Sequence, residues 1–230
     1  MNNQKDNYYE NVKKIFSDIA IRHDGYYDAG KLTHCKRHTL WQYINRSHIL
    51  SIVRRYIKRY KFESCLDAGC GMGDFAFTLG NRYHFRRVVG IDFSEGMLQV
   101  AREKHKAPFL SFLRQDLSKG LSIKDRAFDL TICLNTLHHI LHDDQGKVIN
   151  ELCRVSKTMV ILEIKRYHPF WKVLTGYKMW GSLKVYPTTV SRVTRHFEDA
   201  GFSLSMVRPI FFFTSPSPIM LLVFVRQKNH

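Results

Sequence analysis

The run Cys65-Leu66-Asp67-Ala68-Gly69-Cys70-Gly71-Met72-Gly73-Asp74-Phe75 constrains the fold more than any other stretch, because an apolar strand feeds directly into Gly-x-Gly-x-Gly and then a helix. Glycines there permit a tight turn and let a ligand touch the backbone where the helix begins. A glycine loop alone is often only a turn, so its surroundings decide. Nineteen residues after Gly73 the next apolar run ends on Asp92, whose carboxylate can accept two hydrogen bonds from ribose hydroxyls.

Short apolar or β-branched runs alternate with helical patterns from Ser64 onward: Cys65–Ala68, Val88–Asp92, Leu110–Leu113, Leu130–Leu134, Met159–Ile164, Leu204–Arg208 and Ile219–Val225. This alternation predicts an α/β fold, a Rossmann-like, doubly wound, mainly parallel seven-stranded sheet. The last two strands are close enough in sequence to form a hairpin, which makes one of them antiparallel. Ser94 is expected to cap a helix, Asp143-Asp144 to precede one, and Pro187-Thr188 to begin one that Gly201 ends.

With 44% hydrophobic residues the chain is not disordered. Its 36 basic and 20 acidic side chains give +16, and the excess is local: Lys31 to Lys61 holds nine Lys or Arg and no acid. Trp41, Ile44, His48, Ile49, Ile52, Val53, Tyr56, Ile57 and Tyr60 recur there at three- and four-residue steps, the pattern of a basic amphipathic helix. The expected organisation is a helical cap at 1–61 and a Rossmann-like domain at 62–230, with an aromatic-rich insertion at 165–187. Five cysteines without a Cys-x-x-Cys pair fit reduced thiols, and no metal site is expected. The apolar stretch Pro209–Val225 is broken at Thr214-Ser215-Pro216-Ser217-Pro218, and Met1–Asp6 is polar with no apolar run after it. A cytoplasmic protein is expected, with an anionic membrane surface as a candidate partner.

The loop also bears on its ligand. A dinucleotide needs its pyrophosphate at the glycine turn, where the carboxylates Asp67 and Asp74 would repel it. S-adenosylmethionine has an ammonium and a sulfonium and no phosphate, so flanking acids favour it. At these residues the chain resembles the class I S-adenosylmethionine-dependent methyltransferases, from about Ser64 onward. That resemblance implies that Asp67, Gly69, Gly71 and Gly73 surround the methionine part. It implies that Asp92 holds the ribose, that Phe93 and Met97 flank the adenine, and that Asp116, with Leu117, receives its amino group. Asn135 and Leu137 would stand where the methyl group is presented.

A finer resemblance is to the quinone C-methyltransferases, through Val12–Asp24 and through Leu162-Glu163-Ile164-Lys165-Arg166-Tyr167-His168-Pro169. Leu134-Asn135-Thr136-Leu137-His138-His139 is similar instead to the broader small-molecule methyltransferases. Tyr167, Phe170, Trp171, Tyr177, Met179, Trp180 and Tyr186 suit a flat, hydrophobic acceptor. His139, or its neighbour His138, is the candidate catalytic base, since a histidine can take the proton of a phenol or quinol. The expected reaction is methyl transfer to a hydrophobic aromatic or quinone-like acceptor near a membrane. The alternative is an RNA methyltransferase, prompted by +16 and by basic stretches interleaved with aromatics. Against it, Leu134-Asn135-Thr136-Leu137 lacks the Asn/Asp-Pro-Pro-aromatic turn used to grip a flipped base.

Overall fold

The computed structural model describes residues 2–22, 37–167, 178–179, 183–210 and 219–227. In chain order the elements are α1 (Asn2–Arg22), α2 (Arg37–Tyr60), β1 (Ser64–Ala68), α3 (Asp74–Tyr83), β2 (Arg87–Asp92), α4 (Glu95–Lys104) and β3 (Leu110–Arg114). There follow β4 (Phe128–Cys133), α5 (His142–Val155), β5 (Ser156–Lys165), β6 (Lys178–Met179), β7 (Leu183–Lys184), α6 (Val190–Asp199), β8 (Phe202–Pro209) and β9 (Ile219–Arg226). Seven strands form one mixed sheet in the order β3-β2-β1-β4-β5-β9-β8, while β6 and β7 pair apart from it. All seven expected strands are present. The expected antiparallel strand is β9, which runs antiparallel to both β5 and β8.

Contacts divide the chain into two compact units, Met1–Glu63 with Cys70–Gln115, and Ser64–Gly69 with Asp116–His230. In the first, β2 and β3 are parallel, with Val88 opposite Leu110 and Asp92 opposite Arg114. Helix α3 buries Phe75, Ala76 and Leu79, and α4 buries Met97, Leu98 and Ala101. Ser94 caps α4 as expected, its Oγ accepting from the Met97 amide. Helix α1 approaches α4 closely at Gly96, where an added Cβ would lie 3.1 Å from the Ser17 Cα. The Ser17 and Ser94 hydroxyls meet at 3.0 Å. Helix α2 buries Ile49, Leu50, Val53 and Tyr56, and Tyr83 of α3 donates to the Leu50 carbonyl at 2.8 Å.

In the second unit β1, β4 and β5 run parallel, Leu66 opposite Thr131 and Cys133 opposite Leu162. Met159–Leu162 is fully buried, as a strand covered on both faces must be. Phe197 of α6 stacks on Phe224 of β9 at 3.7 Å between ring centres, and Phe202 meets Phe197 edge-on. Two expected helix starts shift by two or three residues. Helix α5 begins at His142, so Asp143 and Asp144 lie inside its first turn, where carboxylates complement the positive end of the helix dipole. Helix α6 is capped by Thr189, which accepts from the Arg192 amide; Thr188 instead bridges to Arg166. Gly201, at φ +79°, follows this helix.

Candidate active site

The glycine loop of the first unit is built around one carboxylate. Asp92, at the end of β2, accepts the Gly71 amide through Oδ2 and the Ser94 amide through Oδ1, both at 2.9 Å. A carboxylate oxygen has two lone pairs, so each keeps one for a hydroxyl donor. Burial raises the Asp92 pKa, and the amides of Ser94, Gly71 and Phe93 oppose that rise. The turn closes through Gly73 N–H to the Cys70 carbonyl at 3.0 Å and Cys70 N–H to the Ile91 carbonyl at 2.9 Å.

Two of the loop's glycines differ in kind. Gly73, at φ +77°, has no room for a side chain because a Cβ would strike the Phe112 ring. Gly71, at φ +53°, would place a Cβ where no atom of the described residues lies within 4 Å. That open face beside the spare lone pairs of Asp92 fits an adenosyl group lying against the loop. Phe93 is half-buried. Met97 is buried with Met72 and with Ala20 of α1, and Phe16, Ile19 and Val100 pack around them.

Asp74 is engaged by two basic groups at the end of α4: its Oδ1 lies 2.9 Å from Lys104 Nζ and 3.2 Å from His105 Nε2. The preference for a cationic ligand therefore does not draw on Asp74 as an uncompensated charge.

In the second unit the C-terminal ends of β1, β4 and β5 carry the remaining candidates. Asp67 is buried at 3% exposure. Gly69, at φ +79°, lies against the Thr136 side chain; the Thr136 hydroxyl donates to the Leu134 carbonyl at 2.8 Å. Asp116 caps a short 3-10 turn, its Oδ1 accepting from the amide and hydroxyl of Ser118 at 2.9 and 2.7 Å, and Leu117 is buried. Asn135 is exposed at φ +55°.

His138 and His139 follow on a 3-10 turn and are buried at 2% and 8% exposure, their rings 4.1 Å apart. Among the described residues neither nitrogen of His138 has a hydrogen-bond partner. Burial, with Lys165 nearby, lowers the pKa of both, that of His139 to about 3. Both rings are neutral at physiological pH, and His139 accepts protons poorly there. Around them the loop is pinned: Gln145 Nε2 donates to the carbonyls of Tyr186, Ile140 and Leu137, and Tyr186 N–H to the His138 carbonyl. His142 Nε2 lies 2.8 Å from the Pro187 carbonyl and 3.0 Å from the Tyr167 hydroxyl.

Glu163 and Lys165 stand out in the structure and were not among the residues singled out for chemistry. Glu163 is 8% exposed, and burial raises its pKa to about 7 against Lys165 and the Asn135 amide, which lower it. Burial lowers Lys165 to about 8, with Glu163 opposing. The available signal was an acid and a base two apart at the end of an otherwise apolar strand. Of the aromatic insertion, Tyr167 is exposed and Tyr186 half-buried; Phe170, Trp171, Tyr177 and Trp180 lie outside the described residues, as do His23 and Asp24. Among the described residues no group of three His, Cys, Asp or Glu could hold a metal ion.

Residues 65–159 match the family described as methyltransferase domain. The demethylmenaquinone methyltransferase of Bacteroides fragilis is 32% identical over 163 residues, covering 67% of this chain, and the chain spans 60% of that relative's length. Its counterpart from Bacillus cytotoxicus is 28% identical over 232 residues, covering 88% of this chain and 92% of the relative. Among solved structures, magnesium protoporphyrin IX methyltransferase from Synechocystis PCC 6803, with bound SAH, superposes with a TM-score of 0.73 at 21% identity, covering 95% of this chain and 100% of that one. Fold, glycine loop and sequence similarity agree that the chain carries a methyltransferase domain of the class I, S-adenosylmethionine-dependent kind.

Proposed function

We propose that this chain methylates a hydrophobic aromatic acceptor of the quinone type at or near an anionic membrane surface. The observation that carries the acceptor class is the similarity to demethylmenaquinone methyltransferases, one of them along 92% of its length. S-adenosylmethionine supplies an electrophilic methyl group when bound. In this reading Asp67, Gly69, Gly71 and Gly73 line its methionine part, Asp92 takes the ribose hydroxyls, Phe93 and Met97 lie beside the adenine, and Asp116 with Leu117 receives its amino group. Asn135 stands beside the acceptor.

His138 and His139 act as a neutral, largely apolar wall. A base whose pKa is lowered to about 3 is far from matched to a quinol hydroxyl. The rate then comes from holding the acceptor carbon in line with the methyl group, with water excluded. The membrane part rests on α2, whose exposed Arg54, Arg55, Lys58 and Arg59 form a basic face while Ile49, Leu50, Val53 and Tyr56 are already buried within the protein. Attraction to anionic headgroups is the contact such a face offers.

The same cations suit a phosphate backbone, so the test runs both substrates together. The protein is incubated with S-adenosylmethionine and, separately, a demethylated naphthoquinol lipid and a pool of RNA, and each is weighed by mass spectrometry. One added methyl on the quinol and none on RNA is the expected result. Methylated RNA with unchanged quinol overturns the proposal.

A further inference from the structure

We propose that Ser17 of α1 is a positioning residue for S-adenosylmethionine: through the Ser94 hydroxyl it steadies the turn between β2 and α4, and so sets the Asp92 carboxylate that the ribose meets. The proposal rests on the reading of Asp92 given above and adds to it the group that holds that acid in place.

Asp92 is fixed by two amides from two segments, Gly71 of the glycine loop and Ser94 of the turn into α4, each at 2.9 Å. Helix α1 bears on both segments. Its Ala20 is buried with Met72, the residue next to Gly71, and with Met97 of α4, while Phe16 and Ile19 pack around them. At the turn, the Ser17 hydroxyl meets that of Ser94 at 3.0 Å. Ser94 is fully buried and stands at a junction. Its amide donates to Asp92 Oδ1, and its Oγ accepts the Met97 amide at 3.4 Å besides bonding Ser17. A contact of 3.4 Å holds a hydroxyl only weakly, so the shorter bond to Ser17 is what fixes the Ser94 side chain.

The two helices are shaped for this approach. Gly96 is the second residue of α4, and a Cβ there would lie 3.1 Å from the Ser17 Cα and 3.3 Å from its Oγ. Glycine weakens a helix, and here its missing Cβ lets α1 come near enough for the two hydroxyls to bond. Serine is likewise a poorer helix former than alanine, so the Ser17 hydroxyl answers to Ser94 and not to α1. A carboxylate aimed before its ligand arrives needs no ordering on binding. By linkage, whatever steadies Asp92 through Ser94 favours the ribose, and the bound ribose steadies α1 in return.

The test joins titration calorimetry with S-adenosylmethionine to amide hydrogen exchange of α1 read by mass spectrometry. Ser17→Ala and Ser17→Val, which lack the hydroxyl, are expected to bind about fivefold more weakly than wild type, the worth of one hydrogen bond. Ser17→Thr, which has the shape of valine and keeps the hydroxyl, should stay within about twofold. S-adenosylmethionine should slow exchange at residues 16–20 of wild type about fivefold more than it does in Ser17→Ala. Wild-type affinity in Ser17→Ala overturns the proposal. So does a Ser17→Thr variant as weak as Ser17→Val, which would trace the loss to packing against Gly96, and so does slowing of α1 that is equal in wild type and Ser17→Ala. If Ser17→Val does not fold, Ser17→Ala, which adds no atom and favours the helix, takes its place in the comparison with Ser17→Thr. Asp92→Ala separates the proposal from the reading beneath it. If Asp92→Ala binds as tightly as wild type, the ribose reading falls and the proposal with it. If Asp92→Ala loses binding while Ser17→Ala keeps wild-type affinity, the proposal alone is overturned.

Discussion

His138 and His139 show what burial does to a titratable side chain. Both are neutral in the folded protein at a pH where exposed imidazoles begin to charge, because desolvation penalises the imidazolium. Their pKa values are depressed on folding, so the stability they allow is present above the unfolded histidine value near 6.5 and is lost as pH falls toward the folded values. Glu163 has the opposite sign. Its pKa is raised to about 7, so between that value and about 4.5 folding takes up a proton and offsets one of the two histidines. The unfolding free energy should therefore fall on acidification, and His139→Leu should remove one proton's worth of the slope. Chemical denaturation from pH 6.5 to 4.5 should show wild type losing ~1.4 kcal/mol per pH unit relative to that variant. Parallel curves for the two proteins would contradict the buried, neutral placement of His139.

At the scale of elements, helix α2 divides its labour between faces. The sequence pattern announced a basic amphipathic helix, and the stripe at Ile49, Val53 and Tyr56 is indeed apolar, but it is spent inside the protein. Among its described side chains Arg54, Arg55, Lys58 and Arg59 are exposed. Binding to vesicles should then be electrostatic, without insertion. Sedimentation with anionic vesicles should be lost in about 0.5 M salt, where the Debye length falls to roughly 4 Å, and each change of these four cations to Glu should weaken it about fivefold or more. Binding that persists in high salt, or that survives all four changes, would contradict this reading. The strands were legible because a parallel strand covered on both faces must be an apolar run, as Val88–Asp92 and Met159–Ile164 are. Helix starts were legible to within about three residues, since caps such as Ser94 act by local bonds. The partners of Asp74 were not legible. Lys104 and His105 reach Asp74 from 30 and 31 residues away.

For the molecule as a whole, the glycine loop identified the class of ligand, while the reason for each glycine came only with the fold. Gly69 makes way for Thr136 and Gly73 for Phe112, but Gly71 makes way for nothing among the described residues. Asp92 was expected as a ribose acceptor, and the structure adds that it also fastens the loop through the Gly71 and Ser94 amides. The central claim is that S-adenosylmethionine lies against this loop, and Gly71→Val tests it most directly. Among the described residues no atom lies within 4 Å of the new Cβ, so the variant should fold, with a modest loss of ~1–2 kcal/mol from the left-handed φ. Titration calorimetry should show wild type binding S-adenosylmethionine and Gly71→Val, still folded by circular dichroism, showing no binding. A folded Gly71→Val protein that binds S-adenosylmethionine as tightly as wild type would contradict the account.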